Sequence, residues 1–311
     1  MEIFIKSLEA ILVLIGLGFF GFYLLFKKFL KQEVLKILSP IAIEFAVPAM
    51  IFSDIILNFK PERIPDWWLY PLFWLISFIF GIFLSYLFSI FVKKEFKKEF
   101  LLSLIFPNAV FIPIVLISSL YGENSDMLVK LYLFTLFFPV FLFNLYNLFI
   151  DYKKIKLNIK IIFNPIILTT IIAILLKINN LEVFIPDFLI DISRRIGALS
   201  IPIILLIIGG NIYFQFEKKS EIKWGEVIYF VIIKNIIFPL IHIMILNSLN
   251  IPTDVKILIF LQSAVPPVTA IPILIERENQ NYEIANQYLF FSFILSIISL
   301  PFMFLIFNSH L

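Results

Sequence analysis

Two short segments of this sequence carry the same pair of prolines six residues apart. They are Pro107-Asn108-Ala109-Val110-Phe111-Ile112-Pro113 and Pro266-Pro267-Val268-Thr269-Ala270-Ile271-Pro272. Each lies inside an apolar stretch. Proline removes a backbone donor and clashes with the preceding turn, so both stretches are expected to break or kink. In a break, the freed N–H and C=O groups need partners from protein, water or ligand. The half-helix N-termini so created carry partial positive charge and suit anions. Asn108 can donate its amide to a carboxylate, or it can satisfy the broken backbone itself. Thr269, Gln262 and Ser263 stand near the other break, where they complete the same site, form a cation site, or hydrogen-bond between helices. The candidate binding residues are therefore Asn108, Pro107, Pro113, Pro266, Pro267 and Thr269.

Charged residues inside apolar stretches form a second set. Glu44 lies four residues before Pro48, in the middle of one stretch. An acid at that depth is a candidate proton carrier or cation partner, with a structural pair as the alternative; burial is expected to raise its pKa. Lys234 is about 12 Å into another stretch at 1.5 Å per residue, too deep for easy snorkelling. It is a candidate to neutralise an anion or to pair with an acid such as Glu44. Asp54 is expected nearer the surface and solvated, and His242 is more often a hydrogen-bonded helix residue than a proton relay.

Signals for enzyme chemistry are missing. There is no Gly-x-x-x-x-Gly-Lys-Ser/Thr loop for ATP and no Gly-x-Ser-x-Gly nucleophile elbow. With no Cys and only His242 and His310, neither a thiolate site nor a histidine metal pair is expected. No cofactor or metal is implied, although coupling to H⁺ or Na⁺ is open. A net charge of +3 gives no reason to expect nucleic acid.

The elements that must hold these residues follow from composition. The 311 residues are 61% hydrophobic and 15% charged, with a mean hydropathy of +1.02. A soluble chain is about 45–50% apolar and about 25% charged. The excess must face lipid, and a span needs about 20 apolar residues. Ten stretches qualify: 6–26, 35–58, 68–92, 99–121, 128–150, 159–177, 195–214, 226–248, 254–275 and 284–307. The first lacks a basic n-region and cleavage site, so it is expected to stay as a helix. Between Lys177 and Arg194, Val183, Phe184, Phe188 and Leu189 beside Asp187 and Asp191 suit an interfacial amphipathic helix or a surface loop.

Lysines crowd the breaks after stretches one, three, five and seven: Lys27, Lys28 and Lys31; Lys93, Lys94, Lys97 and Lys98; Lys153, Lys154 and Lys156; Lys218, Lys219 and Lys223. The positive-inside bias puts those breaks in the cytoplasm and both termini outside. The matched prolines fall in the fourth stretch of each half, with Pro48 answering Pro202 and Pro139 answering Pro301. Because five is odd, the repeat must be inverted. Interrupted spans at matching positions of two halves point to a transporter's binding site. The fold expected is an all-α membrane protein: ten transmembrane helices as two inverted repeats of five, 1–151 and 152–311, with helices four and nine broken where they cross. With 9 Gly against 39 Phe, bulky packing is expected in place of glycine-lined helix contacts.

These residues resemble the auxin efflux carrier family, the PIN-like transporters and their prokaryotic relatives. The resemblance lies in Val47-Pro48-Ala49-Met50-Ile51-Phe52, in Pro107-Asn108 through Tyr121-Gly122, and in Asn164-Pro165. It continues in Gly209-Gly210, in Lys234 with Pro239, and in Ala264-Val265-Pro266 through Ser292, Ser296 and Ser299-Leu300-Pro301. One departure is Pro113-Ile114-Val115, where the family usually has Gly-x-Pro. The resemblance implies a scaffold of helices 1, 2, 6 and 7 and a transport unit of helices 3–5 and 8–10. It also implies elevator-like movement, a substrate-contacting Asn at position 108, a small organic anion such as auxin, malate or malonate as substrate, and a scaffold-mediated homodimer in the cytoplasmic membrane. Two further readings stand beside it: a transporter-like sensor that binds without transport, and an intramembrane lipid-modifying enzyme, for which no acidic or histidine cluster is found.

Overall fold

The computed structural model describes residues 2–122, 125–150, 163–217 and 221–309. The lysines at 153, 154, 156, 218 and 219, His310, and the boundary expected at 151/152 lie outside these. Apart from short breaks, the described parts of the apolar stretches are helical: α1 (Glu2–Phe26), α2 (Gln32–Pro40), α3 (Val47–Asn58), α4 (Leu69–Phe88), α5 (Lys97–Ile105), α6 (Phe111–Tyr121), α7 (Asp126–Phe134), α8 (Phe138–Ile150), α9 (Pro165–Ile178), α10 (Asp187–Gly197), α11 (Ser200–Glu217), α12 (Trp224–Ile232), α13 (Phe238–Ser248), α14 (Thr253–Ala264), α15 (Ala270–Arg277) and α16 (Tyr282–Ser309). Among the described residues, six continuous helical runs are long and apolar enough to cross a membrane. The chain is a multi-pass helical membrane protein.

Prolines punctuate these helices in different ways. A π-helical turn, Ile41–Ala46, joins α2 to α3 just before Pro48, and a second, Ile233–Ile237, joins α12 to α13 just before Pro239. The wider turn absorbs the carbonyl that a proline cannot bond, a common origin of π-bulges. Pro139 instead splits the fifth stretch: α7 stops at Phe134, and the Phe138 N–H bonds back to the Thr135 carbonyl at 2.9 Å. Its expected counterpart, Pro301, sits inside the uninterrupted α16. The sixth helix begins where Asn164 caps it, accepting the Ile166 N–H at 2.9 Å ahead of Pro165.

The segment before α11 is helical and amphipathic. α10 exposes Phe188, Leu189 and Ile192, while Asp191 pairs with Arg194 and Arg195. α10 and α11, joined by a turn at Ala198 and Leu199, make one continuous run, Asp187–Phe214, which contains the stretch expected at 195–214.

α1 packs along α11, and α3 packs along α9. The expectation of bulky contacts fails at the first of these seams. A side chain added at Gly209 would run into the Gly18 carbonyl, and one at Gly21 into the Leu206 backbone. Four glycines (Gly18, Gly21, Gly209 and Gly210) are concentrated on this one contact, where small residues let backbones touch. The phenylalanines do pack as expected next to the break in the fourth stretch. Trp74 and Phe78 of α4 stack at 4.9 Å between ring centroids, and Phe78 meets Phe106 at 5.6 Å and Phe141 at 5.5 Å. That wall holds Phe106, the first residue past α5.

Candidate functional site

Both stretches with paired prolines break. Residues 106–110 separate α5 from α6, and residues 265–269 separate α14 from α15. The two breaks meet in an antiparallel bridge with Pro107 opposite Pro267. The Asn108 N–H donates to the Pro266 carbonyl at 2.8 Å, and the Val268 N–H donates to the Phe106 carbonyl at 3.0 Å. Pro107 and Pro267 thus occupy the facing pair that exchanges no hydrogen bond, where a missing N–H costs nothing. Proline spacing alone suggests Pro107 against Pro266. That register would require residue 267 to donate, and proline cannot. The second proline of the pair therefore fixes the register one residue along.

Pro113 and Pro272 do not break anything. Each is the third residue of its helix, α6 or α15, where first-turn N–H groups have no intrahelical partner in any case. Asn108 is 1% exposed, and its Oδ1 accepts the Phe111 N–H at 3.2 Å and the Ile112 N–H at 3.4 Å. It caps α6. Its Nδ2 makes no bond among the described residues, so one end of the amide is committed and the other is free. At α15 the equivalent place is uncapped: Thr269 makes no side-chain cap, and the Thr269 and Ala270 N–H groups have no partner among the described residues. Val110, Phe111, Thr269 and Ala270 are partly exposed while residues 105–109 and 260–268 are buried. The open edge of the crossing is made of the two helix N-termini.

The opposite pole is held by Lys234. The side chain is fully buried, with Nζ 3.0 Å from the Ser263 carbonyl, 3.5 Å from the Gln262 carbonyl and 5.3 Å from the centre of the Phe238 ring. These carbonyls end α14, where the helix dipole is negative and a cation is favoured. The π-helical turn at Ile233–Ile237 is what places Lys234 there. Gln262 reaches across, its Nε2 donating to the Ala109 carbonyl at 2.9 Å, and its Oε1 is buried without a partner.

Two cavities bear on the site, and only the smaller is lined by a residue of the crossing. One of about 30 Å³ is lined by Ser77, His242, Gln262, Ser263 and Pro107 among others. Ser77, Ser263 and His242 Nδ1 all donate to backbone carbonyls of their own helices, at 2.8, 2.6 and 2.8 Å. What remains to this cavity is acceptors, which suit a donor the size of water. The other, about 340 Å³, lies between α3, α10 and α11 on one side and α6 and α7 on the other. Asp54, Ser53, Ser118 and Arg194 line it. The Tyr132 hydroxyl of α7 donates to Asp54 of α3 at 2.7 Å.

The model of the membrane transport protein family matches residues 6–154 and, in a second hit, 150–304. The chain belongs to this family, that of the auxin efflux carriers. No curated protein matches the chain at a significant level. As a member of a family of membrane transporters, it is a membrane transport protein built from apolar helices.

Within this transporter, the structure gathers most of the residues singled out from sequence. Pro107, Asn108, Pro266, Pro267 and Thr269 form the crossing, Pro113 opens α6, and Gln262, Ser263 and Lys234 surround the end of α14. Glu44 stands apart. It lies on an exposed face of the first π-helical turn beside exposed Ile41, Ile43 and Phe45, and no ion pair joins it to Lys234. The expectation of burial inside the bundle is corrected: a helical stretch has an outer face, and depth along the sequence does not tell which face a residue takes. Asp54 is half-buried and bonded where a solvated carboxylate was expected.

Other polar groups were not marked in advance. Asp254, at the start of α14, takes Lys130 at 2.6 Å and the Tyr70 hydroxyl at 2.6 Å, binding α7 and α4 to it. Arg194 reaches the larger cavity from α10. An Arg–Asp pair at i, i+3 looks like any solvated helix pair in sequence.

Proposed function

We propose that this chain is a secondary transporter of a small organic anion, a carboxylate, which binds at the open edge of the crossing. The observation that carries this reading is the uncapped N-terminus of α15 meeting the capped N-terminus of α6 at the partly exposed edge of the crossing. Two positive helix ends, the free Nδ2 of Asn108 and the Lys234 ammonium behind them supply donors and positive potential without a fixed negative partner. The Thr269 hydroxyl and the Thr269 and Ala270 N–H groups are the contacts assigned to the carboxylate.

In this reading the chain is two inverted repeats of five helices, 1–151 and 152–311. Exchange of the halves turns the α1–α11 contact into the α9–α3 contact, and both are present. It also turns one crossing hydrogen bond into the other. Helices 1, 2, 6 and 7 form the scaffold, and helices 3–5 and 8–10 form the transport unit, which moves elevator-fashion past it. The cavity of about 340 Å³ lies on the seam between them and has the volume of a small-molecule site. The Tyr132–Asp54 bond is the contact that movement must break. Lys234 already occupies the carbonyl end of α14 where a bound cation would sit, so coupling is assigned to H⁺ over Na⁺. The protein is placed in the cytoplasmic membrane as a homodimer joined through the scaffold, with both termini outside. No cofactor is assigned.

A thermal-shift screen of purified protein with malonate, malate and indole-3-acetate tests the binding step, with and without Na⁺. Stabilisation by at least one carboxylate, independent of Na⁺, is expected. No shift with any of them contradicts the assigned site.

A further inference from the structure

At the start of α5 lies a buried acid that the crossing does not use. Glu99 is 1% exposed. Its Oε1 accepts the Asn281 N–H at 3.0 Å, which ties α5 to the start of α16. Its Oε2 is buried and has no hydrogen-bond partner. No lysine or arginine lies within ion-pair distance among the described residues. Lys98, the neighbour in sequence, donates to Gln280 Oε1 at 3.3 Å instead. Two hydroxyls close by share this condition. Ser103, one turn along α5 and so on the same face, and Tyr288 of α16 are both fully buried with unpartnered oxygens. Tyr288 packs on α5 through Phe100, with ring centroids 6.2 Å apart.

A carboxylate held away from water, with no cation at ion-pair distance among the described residues, is strongly disfavoured. A carboxylic acid is not, because it is neutral. Protonated at Oε2, Glu99 keeps the Asn281 N–H on Oε1. One proton is taken up, and no other bond forms or breaks. We propose that Glu99 is the proton-binding site of the transport unit, and that its protonation couples H⁺ to movement of the crossing. The coupling rests on the transport reading above; the protonation does not.

The titratable groups around it are limited. Its own helix carries Lys97 and Lys98, and the 3₁₀ turn Lys94–Phe96 ahead of it carries Lys94 and Glu95. α16 brings Tyr282, Glu283 and Tyr288; α4 and α8 bring Tyr70, Tyr86 and Tyr146; α15 brings Glu276 and Arg277. Among these, Lys98 and Tyr288 interact electrostatically with the Glu99 carboxyl.

An infrared pH titration of the purified full chain tests the site without any substrate. A carboxyl C=O band that titrates is expected in the wild type and in Glu99→Asp, and it should vanish in Glu99→Gln. The glutamine keeps an oxygen for Asn281, so α16 should stay docked and thermal stability should stay close to wild type. If Glu99→Gln does not fold, Tyr288→Phe provides the check: loss of the hydroxyl that interacts electrostatically with the Glu99 carboxyl should move the midpoint of the band. A band unchanged in Glu99→Gln, or unmoved in Tyr288→Phe, overturns the proposal. In proteoliposomes, malonate uptake by Glu99→Gln should lose its dependence on an imposed pH gradient; uptake that keeps it overturns the coupling. Absence of uptake even in the wild type, with the infrared band intact, refutes the transport reading and with it the coupling, and leaves the proton site standing.

Discussion

The Asn108 amide has two ends, and only its oxygen is committed to the fold. Asn108→Asp keeps the oxygen that caps α6 and replaces the free donor with negative charge. Its melting temperature should therefore stay near wild type while carboxylate binding falls at least tenfold. Asn108→Ala removes the cap as well and should lose about 1 kcal/mol of stability. A thermal-melt series with and without malonate separates the two effects. Lys234→Met tests the other pole. It leaves the Gln262 and Ser263 carbonyls unpaired, costing about 1–3 kcal/mol, and it should weaken anion binding in parallel. At this scale the sequence was informative where residue type dictates position. A proline pair with an adjacent Asn can do little except sit at a break, and a lysine deep in an apolar stretch must find carbonyls or an acid. Glu44 and Glu99 show the limit. Both are acids in helical stretches, and only the packing of neighbouring helices decides that the first is exposed and the second is enclosed by α16.

Elements were legible as apolar stretches, because a membrane helix needs little beyond length and hydrophobicity. Their internal breaks were legible only in part. Pro48, Pro139, Pro239 and Pro301 have the same chemistry, yet two follow π-helical turns, one divides α7 from α8, and one is absorbed within α16. What differs is whether a neighbouring group can take up the carbonyl that each proline leaves, and that is a tertiary matter. The register of the crossing is the sharper case, since it follows from which residues can donate. Val268→Pro deletes a donor in the bridge and should cost about 1–3 kcal/mol, through an unpaired Phe106 carbonyl. Pro267→Ala keeps both bridge bonds and should cost much less. Chemical denaturation of the two variants checks the order; equal losses would contradict the register.

Across the whole molecule, the two longest seams run along α1–α11 and α3–α9. Few glycines suggested that backbones keep apart, but a count says nothing of clustering, and four of the nine stand on one seam. Gly209→Val should therefore be severe, at about 1–3 kcal/mol or more from overpacking against Gly18. Gly225→Ala, with open space around it, should be neutral. Size-exclusion profiles and melting temperatures in detergent compare the pair. The central claim is that a carboxylate is carried at the crossing, and the direct measurement is uptake of labelled malonate, malate and indole-3-acetate into proteoliposomes. Saturable uptake of at least one, lost in the stably folded Asn108→Asp, is the predicted result. Uptake undiminished by Asn108→Asp, or no uptake of any of the three by the wild type, would contradict it.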